Sequence, residues 1–176
     1  MAPDAWRTTA RSMVVEDRWI RLRADDCVDA TGRIIAPYYV LEQTEWVSIL
    51  ALTDDGSAVA IEEYHHGAEV VGVGLPGGAV DASEIPRDAA LRELMEETGY
   101  VAAEMIDLGW TWANWGNQDN RVHHFLARGC RHERPQELDA GETIDVRILP
   151  LVELGEQLAQ SFHQLTWFKA QARLVG

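Results

Sequence analysis

The stretch Gly-Ala-Val-Asp-Ala-Ser-Glu-Ile-Pro-Arg-Asp-Ala-Ala-Leu-Arg-Glu-Leu-Met-Glu-Glu-Thr-Gly-Tyr, residues 78–100, decides the fold of this chain. Ile85-Pro86 marks a helix start, because proline is well tolerated in the first helical turn. Gly99 suits the position just beyond a helix, where a left-handed backbone is needed. The side predicted to be buried carries residues at i, i+3, i+4 and i+7: Leu91, Leu94, Met95 and Thr98.

Three glutamates share one side of that predicted helix. At about 100° per residue, Glu96 lies about 60° to one side of Glu93, and Glu97 lies about 40° to the other. Like charges at this spacing repel, and divalent cations that prefer oxygen ligands remove the repulsion. Ala89 and Ala90 fall on the same side, and their small size leaves room there for a ligand. The alternative is an ordinary solvated acidic helix face.

The same stretch resembles the Nudix box, the signature of the Nudix hydrolase family, through Gly78, Glu84, Arg92-Glu93, Glu96-Glu97 and Gly99. Tyr100 stands where an aliphatic residue is commoner. The resemblance implies an α/β fold, namely an α/β/α sandwich with a mixed sheet. It also implies an enzyme that cleaves a pyrophosphate bridge with the help of Mg²⁺, or of Mn²⁺ in its place.

The resemblance further implies which residues hold the metal. Glu93 and Glu97 are the principal ligands, Glu96 lies close by, and the carbonyl of Gly77 is a backbone ligand. Gly77 fits that role physically, because a backbone without Cβ can approach an ion closely.

Two more catalytic roles follow from the resemblance. Arg92 pairs with Glu84 and locks the loop onto the helix without touching metal; the alternative is a surface ion pair worth under about 1 kcal/mol. A general base or extra metal ligand comes from a later loop, where residues 138–146 resemble an acidic stretch of ADP-ribose pyrophosphatases. Glu142 is the first candidate, and Asp139 and Asp145 are the second and third; a solvated loop acid is the alternative.

Flanking segments resemble the ADP-ribose pyrophosphatase branch of the family, with departures. Leu75-Pro76-Gly77-Gly78 resembles that branch's Leu-Pro-Ala/Gly-Gly sequence, but Gly74 replaces its usual glutamate. Glu63-Tyr64-His65 replaces Gln-Tyr-Arg, so an arginine that could grip phosphate or ribose is missing. The candidate substrate contacts are His65 and Arg121 as replacements, Trp115 for base stacking, and Trp46, for which packing in the core is the alternative.

The pattern along the chain predicts two regions. Residues 1–44 form a β extension whose strands resemble a small antiparallel sheet that in relatives helps form a dimer. Residues 45–176 form the Nudix hydrolase domain. Within that domain, Gly67–Gly78 is predicted as a loop or a loosely formed strand, and Arg128–Gly141 as a loop. A homodimer is therefore expected.

Composition limits the partners. The chain has 176 residues and a formal net charge of −14, which argues against generic binding to nucleic acid or to an anionic membrane. Divalent cations would locally offset repulsion of a diphosphate substrate. Cys27 and Cys130 lie far apart in sequence, and the chain has no apolar run typical of a signal peptide or membrane span. We therefore expect a cytoplasmic protein without a membrane partner.

The leading functional hypothesis is hydrolysis of ADP-ribose or a related nucleoside diphosphate sugar to a nucleoside monophosphate and a sugar phosphate. A second hypothesis keeps this chemistry but changes the substrate to a dinucleotide, a dinucleoside polyphosphate or a nucleoside triphosphate. A third hypothesis is a non-catalytic nucleotide sensor with the same fold.

Overall fold

The computed structural model describes residues 4–174, which fall into two compact units. The first contains the residues up to Thr44 together with Trp112–Arg121. The second contains Glu45–Thr111 and the residues from Val122 onward. Each unit is built on a sheet of its own.

The first unit is built on a three-stranded antiparallel sheet. Its strands follow chain order: β1 (Arg7–Glu16), β2 (Arg21–Val28) and β3 (Ile34–Glu42). The Asp25 carboxylate is buried in this sheet, where Arg11 donates to it at 3.0 Å and Arg23 at 3.3 Å. The small N-terminal antiparallel sheet predicted from the sequence is confirmed.

The second unit contains a mixed sheet of seven strands in the order β10-β5-β4-β9-β7, with β6 paired to β5 and β8 paired to β9. β4 and β9 run parallel, whereas β5 pairs antiparallel with β4, β6 and β10. The strands are β4 (Trp46–Thr53), β5 (Ser57–His65), β6 (Val70–Gly74), β7 (Tyr100–Val101), β8 (Glu104–Trp112), β9 (Arg121–His132) and β10 (Ile144–Pro150).

Helices cover both faces of that sheet: α1 (Pro86–Thr98) on one face, and α2 (Leu151–Gln157) and α3 (Ser161–Leu174) on the other. β4 shows why, because its side chains alternate between the faces. Val47, Ile49 and Ala51 pack in the cluster with α1, while Leu50 and Leu52 pack in the cluster with α2 and α3. The predicted α/β/α sandwich is therefore confirmed.

Within the segment expected as a loop or a loosely formed strand, Val70–Gly74 is a strand, because its backbone pairs with Ile61–His65. Two other expectations about local structure need correction. Residues 128–132 continue β9 where a loop was expected. Ala89 and Ala90 are fully buried in the core cluster, so their small side chains permit close packing of α1 and leave no room for a ligand. Within residues 4–174, no helix is long and apolar enough to cross a bilayer.

Candidate active site

Local sequence signals fix the ends of helix α1, which carries the glutamates. Pro86 occupies the first turn, and Ile85 before it has extended backbone. At the other end Gly99 has φ of 73° and donates its N–H to the carbonyl of Met95 at 2.8 Å. A Cβ at Gly99 would also overlap the Arg134 carbonyl, so glycine is required there for both conformation and space.

Glu97 points into the protein and not toward solvent. Glu97 is 7% exposed, and its Oε2 accepts a hydrogen bond of 2.8 Å from the backbone N–H of Gly77. Gly77 must be glycine, because a Cβ would overlap the Val47 carbonyl. The loop before the helix is thus clamped between strand β4 and the Glu97 carboxylate.

Glu93 lies one turn before Glu97 and contacts the same loop. A Cβ at Gly78 would overlap the Glu93 carboxylate, so the loop backbone and the acid are in close contact. The Gly78 carbonyl accepts from the N–H of Val47 at 2.9 Å, which anchors this part of the loop to β4. The fold thus brings four of the predicted site residues into one small region: Glu93, Glu97, Gly77 and Gly78.

Arg92 ties the loop to the helix through five hydrogen bonds. Its guanidinium donates twice to the Glu84 carboxylate, at 3.2 and 3.0 Å, and once to the Ala79 carbonyl at 2.9 Å. The remaining bonds go to Glu93 at 2.8 Å and to Glu96 at 3.0 Å. Arg92 therefore makes the pair with Glu84 and also holds two of the three helix glutamates.

Burial controls the protonation of these acids. Loss of water around Glu97 raises its pKa to about 9, with smaller contributions from the charges of Glu93, Glu63 and Glu142. Burial also raises the pKa of Glu93, although its bond to Arg92 acts in the opposite direction. Hydrogen bonding from Arg92 lowers the pKa of Glu84. Without a cation nearby, Glu97 favours the protonated form at neutral pH.

Of the three predicted acids, Asp139 and Glu142 lie in the segment between β9 and β10. Glu142 is exposed; its Oε2 accepts from the N–H of Asp139 at 2.9 Å, and its own N–H donates to the Asp139 carbonyl at 3.1 Å. Asp145 is exposed on β10. Of these three acids, Glu142 has a charge that reaches both Glu93 and Glu97.

Several residues near the site were not anticipated from the sequence. Gln136 donates from its amide to the carbonyls of Glu97 at 2.6 Å and Ile144 at 3.0 Å, which joins the Glu142 loop to the helix end. Glu63 on β5 adds negative charge near Glu97. Alternation along β5 could have indicated Glu63, but no spacing pattern pointed to Gln136 in its polar loop.

The carboxylates of Glu93, Glu96 and Glu97 are of the type that binds an oxygen-preferring cation, although they do not form a complete set of metal ligands. Within residues 4–174, no three Asp, Glu, His or Cys side chains converge as metal ligands. Arg92 instead donates to Glu93 and Glu96, and the Gly77 N–H donates to Glu97. In the same range Glu97 has no ion-pair partner, and its raised pKa shows that its charge is poorly compensated. Carboxylate and carbonyl oxygens in this number suit Mg²⁺ or Mn²⁺.

The four predicted substrate contacts lie in different surroundings. In the first unit, Trp115 is 84% exposed, and the Arg121 guanidinium lies 5.5 Å from the centre of the Trp112 ring. In the second unit, His65 is exposed and lies 3.8 Å from Glu63, while Trp46 is partly buried at the start of β4.

Comparison with known proteins identifies the family and the fold. The family model described as NUDIX domain matches residues 43–170, and the model described as nucleoside diphosphate sugar hydrolase N-terminal domain matches residues 6–41. A crystal structure described as ADP compounds hydrolase shares the fold, with a TM-score of 0.88 and 22% identity, covering 99% of this chain and 96% of the other.

Two curated relatives are similar to the chain over most of their length. The chain is 30% identical over 141 residues to the ADP-ribose pyrophosphatase of Bacillus subtilis (strain 168), covering 80% of this chain and 76% of the relative. It is also 30% identical over 148 residues to the methanol dehydrogenase activator of Bacillus methanolicus, covering 84% and 80%. The chain therefore belongs to the Nudix family and is an ADP-ribose pyrophosphatase-like hydrolase of phosphorus-containing acid anhydrides.

Proposed function

We propose that this protein hydrolyses the pyrophosphate bond of ADP-ribose or a related nucleoside diphosphate sugar. The products are a nucleoside monophosphate and a sugar phosphate. The observation that supports this most is the buried Glu97 carboxylate, held on a glycine loop beside Glu93. The two family models and the Bacillus subtilis relative support the choice of substrate class.

Glu93, Glu97, Glu96 and the Gly77 carbonyl would hold the divalent cation, Mg²⁺ or Mn²⁺. When bound, it supplies positive charge that neutralises the phosphates as the bridge breaks. Arg92 keeps the glutamates in place from the side of the loop, through Glu84 and the Ala79 carbonyl. Its function is orientation, since all five of its hydrogen bonds go to groups of the loop and the helix.

Glu142 is the proposed general base. Water forms a new bond to one phosphorus, the bond from that phosphorus to the bridging oxygen breaks, and the water proton passes to Glu142. Two features favour Glu142 over its neighbours: its charge reaches Glu93 and Glu97, and the Asp139 N–H fixes one of its oxygens at 2.9 Å.

Exchange of Glu142 tests this assignment. Glu142→Gln should lower kcat by well over about tenfold, because the amide cannot take the proton. Asp139→Asn and Asp145→Asn are matched controls that remove one charge each from the same region. Near wild-type kcat in Glu142→Gln, with a large loss in either control, would transfer the role to that neighbour.

A substrate screen tests the function itself. Nucleoside diphosphate sugars, dinucleotides, dinucleoside polyphosphates and nucleoside triphosphates are compared with Mg²⁺ and with Mn²⁺, and products are identified by chromatography. We expect the highest kcat/KM for ADP-ribose or another nucleoside diphosphate sugar. Tight binding of ADP-ribose in Mg²⁺ without turnover of any compound would instead favour a sensor.

Contacts to the nucleotide are a further part of the proposal. The exposed Trp115 ring is the candidate for stacking on the base, and Arg121 and His65 are candidates for the phosphates or ribose. Trp46 remains a candidate for substrate contact. Trp115→Ala should raise KM for ADP-ribose severalfold with little change in kcat, whereas an unchanged KM would exclude stacking.

We also propose a division into residues 1–44 and 45–176, with the first part forming a homodimer contact. All ten residues of β1 are exposed, including Met13, Val14 and Val15, and exposed apolar side chains in a row are typical of interaction surfaces. Light scattering should give twice the mass of one chain, and Val14→Asp should shift it toward one. A cytoplasmic location is proposed with this assembly.

A further inference from the structure

We propose that His163, on helix α3, is a positioning residue that holds the glycine loop against the catalytic glutamates. Here the glycine loop is Leu75–Gly78, the segment whose Gly77 N–H binds Glu97. The inference rests on the function proposed above for Glu93 and Glu97. It concerns a residue far away in sequence that takes no part in the proposed chemistry itself.

The direct contact is a hydrogen bond between buried groups. The backbone N–H of Leu75 donates to Nδ1 of His163 at 3.4 Å, across a separation of 88 residues. Leu75 is 1% exposed and His163 is 7% exposed, so water does not compete for this amide. Leu75 lies two residues before Gly77, and its N–H is the first donor of the glycine loop.

The imidazole also packs tightly on the residue before the loop. A Cβ at Gly74 would lie 2.8 Å from Cε1 and 3.1 Å from Nδ1 of His163. Real Cβ contacts are not that close, so the ring occupies the space that a side chain at position 74 would need. This explains why glycine can stand at position 74 in this chain: His163 fills the volume.

The other supports of the glycine loop lie on β4 and α1. The Pro76 carbonyl accepts from Ile49 at 2.9 Å, and the Gly78 carbonyl accepts from Val47 at 2.9 Å. The Gly77 N–H donates to Glu97 at 2.8 Å. Loss of the His163 bond would leave a buried donor unsatisfied at the start of the loop, and the Gly77 amide would shift relative to Glu97.

The chemistry of His163 suits an unchanging acceptor. Burial, with a smaller contribution from the charge of nearby His65, lowers the pKa of His163 to about 3, so Nδ1 keeps its lone pair at neutral pH. Phe162 packs edge-on against the imidazole, with 4.6 Å between the ring centroids. Support residues of this kind typically affect metal affinity or activity by about 10–100-fold.

Two substitutions at position 163 separate hydrogen bonding from packing. His163→Leu keeps an apolar side chain of similar size but removes the acceptor. His163→Asn restores an acceptor close to the position of Nδ1. Leu158→Ala serves as a control, because Leu158 is buried in the same apolar cluster as Leu75, and its backbone hydrogen bonds go to Leu154 and Gln164.

Three experiments are made on each variant: Mn²⁺ binding without substrate, amide hydrogen exchange of residues 72–80, and steady-state kinetics that give kcat and KM for ADP-ribose. For His163→Leu we expect Mn²⁺ binding weakened by about fivefold or more, faster exchange of the loop, and kcat reduced by about tenfold with KM within about threefold. His163→Asn should recover most of each loss. Leu158→Ala should lower Tm while leaving Mn²⁺ binding and loop exchange within about twofold.

Gly74→Ala approaches the same contact from the other side, with His163 retained. The added methyl group should displace the ring and reproduce the weak Mn²⁺ binding and fast loop exchange of His163→Leu. The proposal is overturned if His163→Leu matches Leu158→Ala in both Mn²⁺ binding and loop exchange. If His163→Leu does not fold, the same comparison is made with Gly74→Ala. The proposal is also overturned if His163→Asn is as defective as His163→Leu. Mn²⁺ binding and loop exchange do not depend on the substrate. If the proposed substrate is wrong, the wild-type protein binds Mn²⁺ but does not turn over ADP-ribose, and this result is distinct from failure of the His163 proposal.

Discussion

At the scale of single residues, the site depends on carboxylates whose surroundings differ although they lie on one turn of helix. Glu97 is buried against a backbone N–H, whereas Glu93 and Glu96 share the Arg92 guanidinium. The sequence predicted that these acids lie close together, because their spacing is set by helix geometry alone. It could not predict which of them is buried, since that depends on the loop packed over α1.

Arg92→Lys tests the orienting role of the guanidinium. A lysine ammonium cannot reproduce the two-pronged bond to Glu84 while also reaching Glu93, Glu96 and Ala79. We expect kcat to fall by about 10–100-fold, measured with ADP-ribose and saturating Mg²⁺. Arg87→Lys, an exposed change in the same helix, is the control and should be near wild type. Equal kcat in both variants would show that Arg92 forms merely a surface pair.

Glu97→Gln tests the cost of burying this acid. The folded-state pKa of Glu97, about 9, lies above the ordinary value of 4.5. The contribution of Glu97 to the free energy of unfolding is therefore fully present below pH 4.5 and is lost as the pH rises through 9. Without metal at pH 8, Glu97→Gln should therefore be more stable than wild type by about 1–3 kcal/mol in urea unfolding. Glu104→Gln, an exposed change, should differ by less than about 0.5 kcal/mol. A less stable Glu97→Gln protein would contradict this picture.

At the scale of elements, the ends of α1 were predictable and its packing was not. Pro86 and Gly99 carry local signals that hold in any surroundings. Ala89 and Ala90 look open on a helical wheel, yet they are fully buried because the core cluster closes over that side. Likewise Val70–Gly74 becomes a strand through pairing with β5, and glycine content alone cannot reveal such pairing.

Gly99→Ala tests the end of α1. The position has φ of 73°, and a Cβ would meet the Arg134 carbonyl. Gly56→Ala is a close control, because Gly56 has φ of 83° but nothing within 4 Å of an added Cβ. We expect about 1 kcal/mol of destabilisation for Gly56→Ala and at least about 2 kcal/mol for Gly99→Ala in urea unfolding. Equal losses would mean that the Arg134 contact adds nothing.

At the scale of the whole molecule, a net charge of −14 makes binding of an anionic diphosphate unfavourable unless cations are present. The sequence predicted this conflict, along with the α/β/α sandwich and the small N-terminal sheet. It could not reveal His163 or Gln136, because each acts through a backbone group remote in sequence. Such contacts are determined by how α3 and the loop after β9 pack, which no local pattern encodes.

The buried ionisable groups also predict how stability changes with pH. Burial lowers the pKa of His124 to about 4 and that of His163 to about 3. The stability that these neutral histidines contribute to the fold is therefore fully present above pH 6.5 and is lost as the pH falls toward those values. The pKa of Glu97 is shifted in the opposite direction, so its contribution to stability is lost as the pH rises. Burial also raises the pKa of Cys130 to about 11, and this shift lowers stability at alkaline pH.

The free energy of unfolding without metal should therefore pass through a maximum near about pH 6–7. Urea unfolding in EDTA between about pH 4.5 and 9.5 measures it. Added Mg²⁺ should reduce the fall on the alkaline side, because it stabilises the ionised acids. A profile that rises steadily to pH 9.5 in EDTA would contradict the assignment of Glu97 as a poorly compensated buried acid.

The most direct test of the central claim is kcat for ADP-ribose in Mg²⁺, compared between wild type and Glu97→Gln, with folding of both checked by the unfolding midpoint. The account expects kcat to fall by several orders of magnitude in a variant that is at least as stable as wild type without metal. Turnover within about tenfold of wild type, or activity of the wild type that survives excess EDTA, would contradict it.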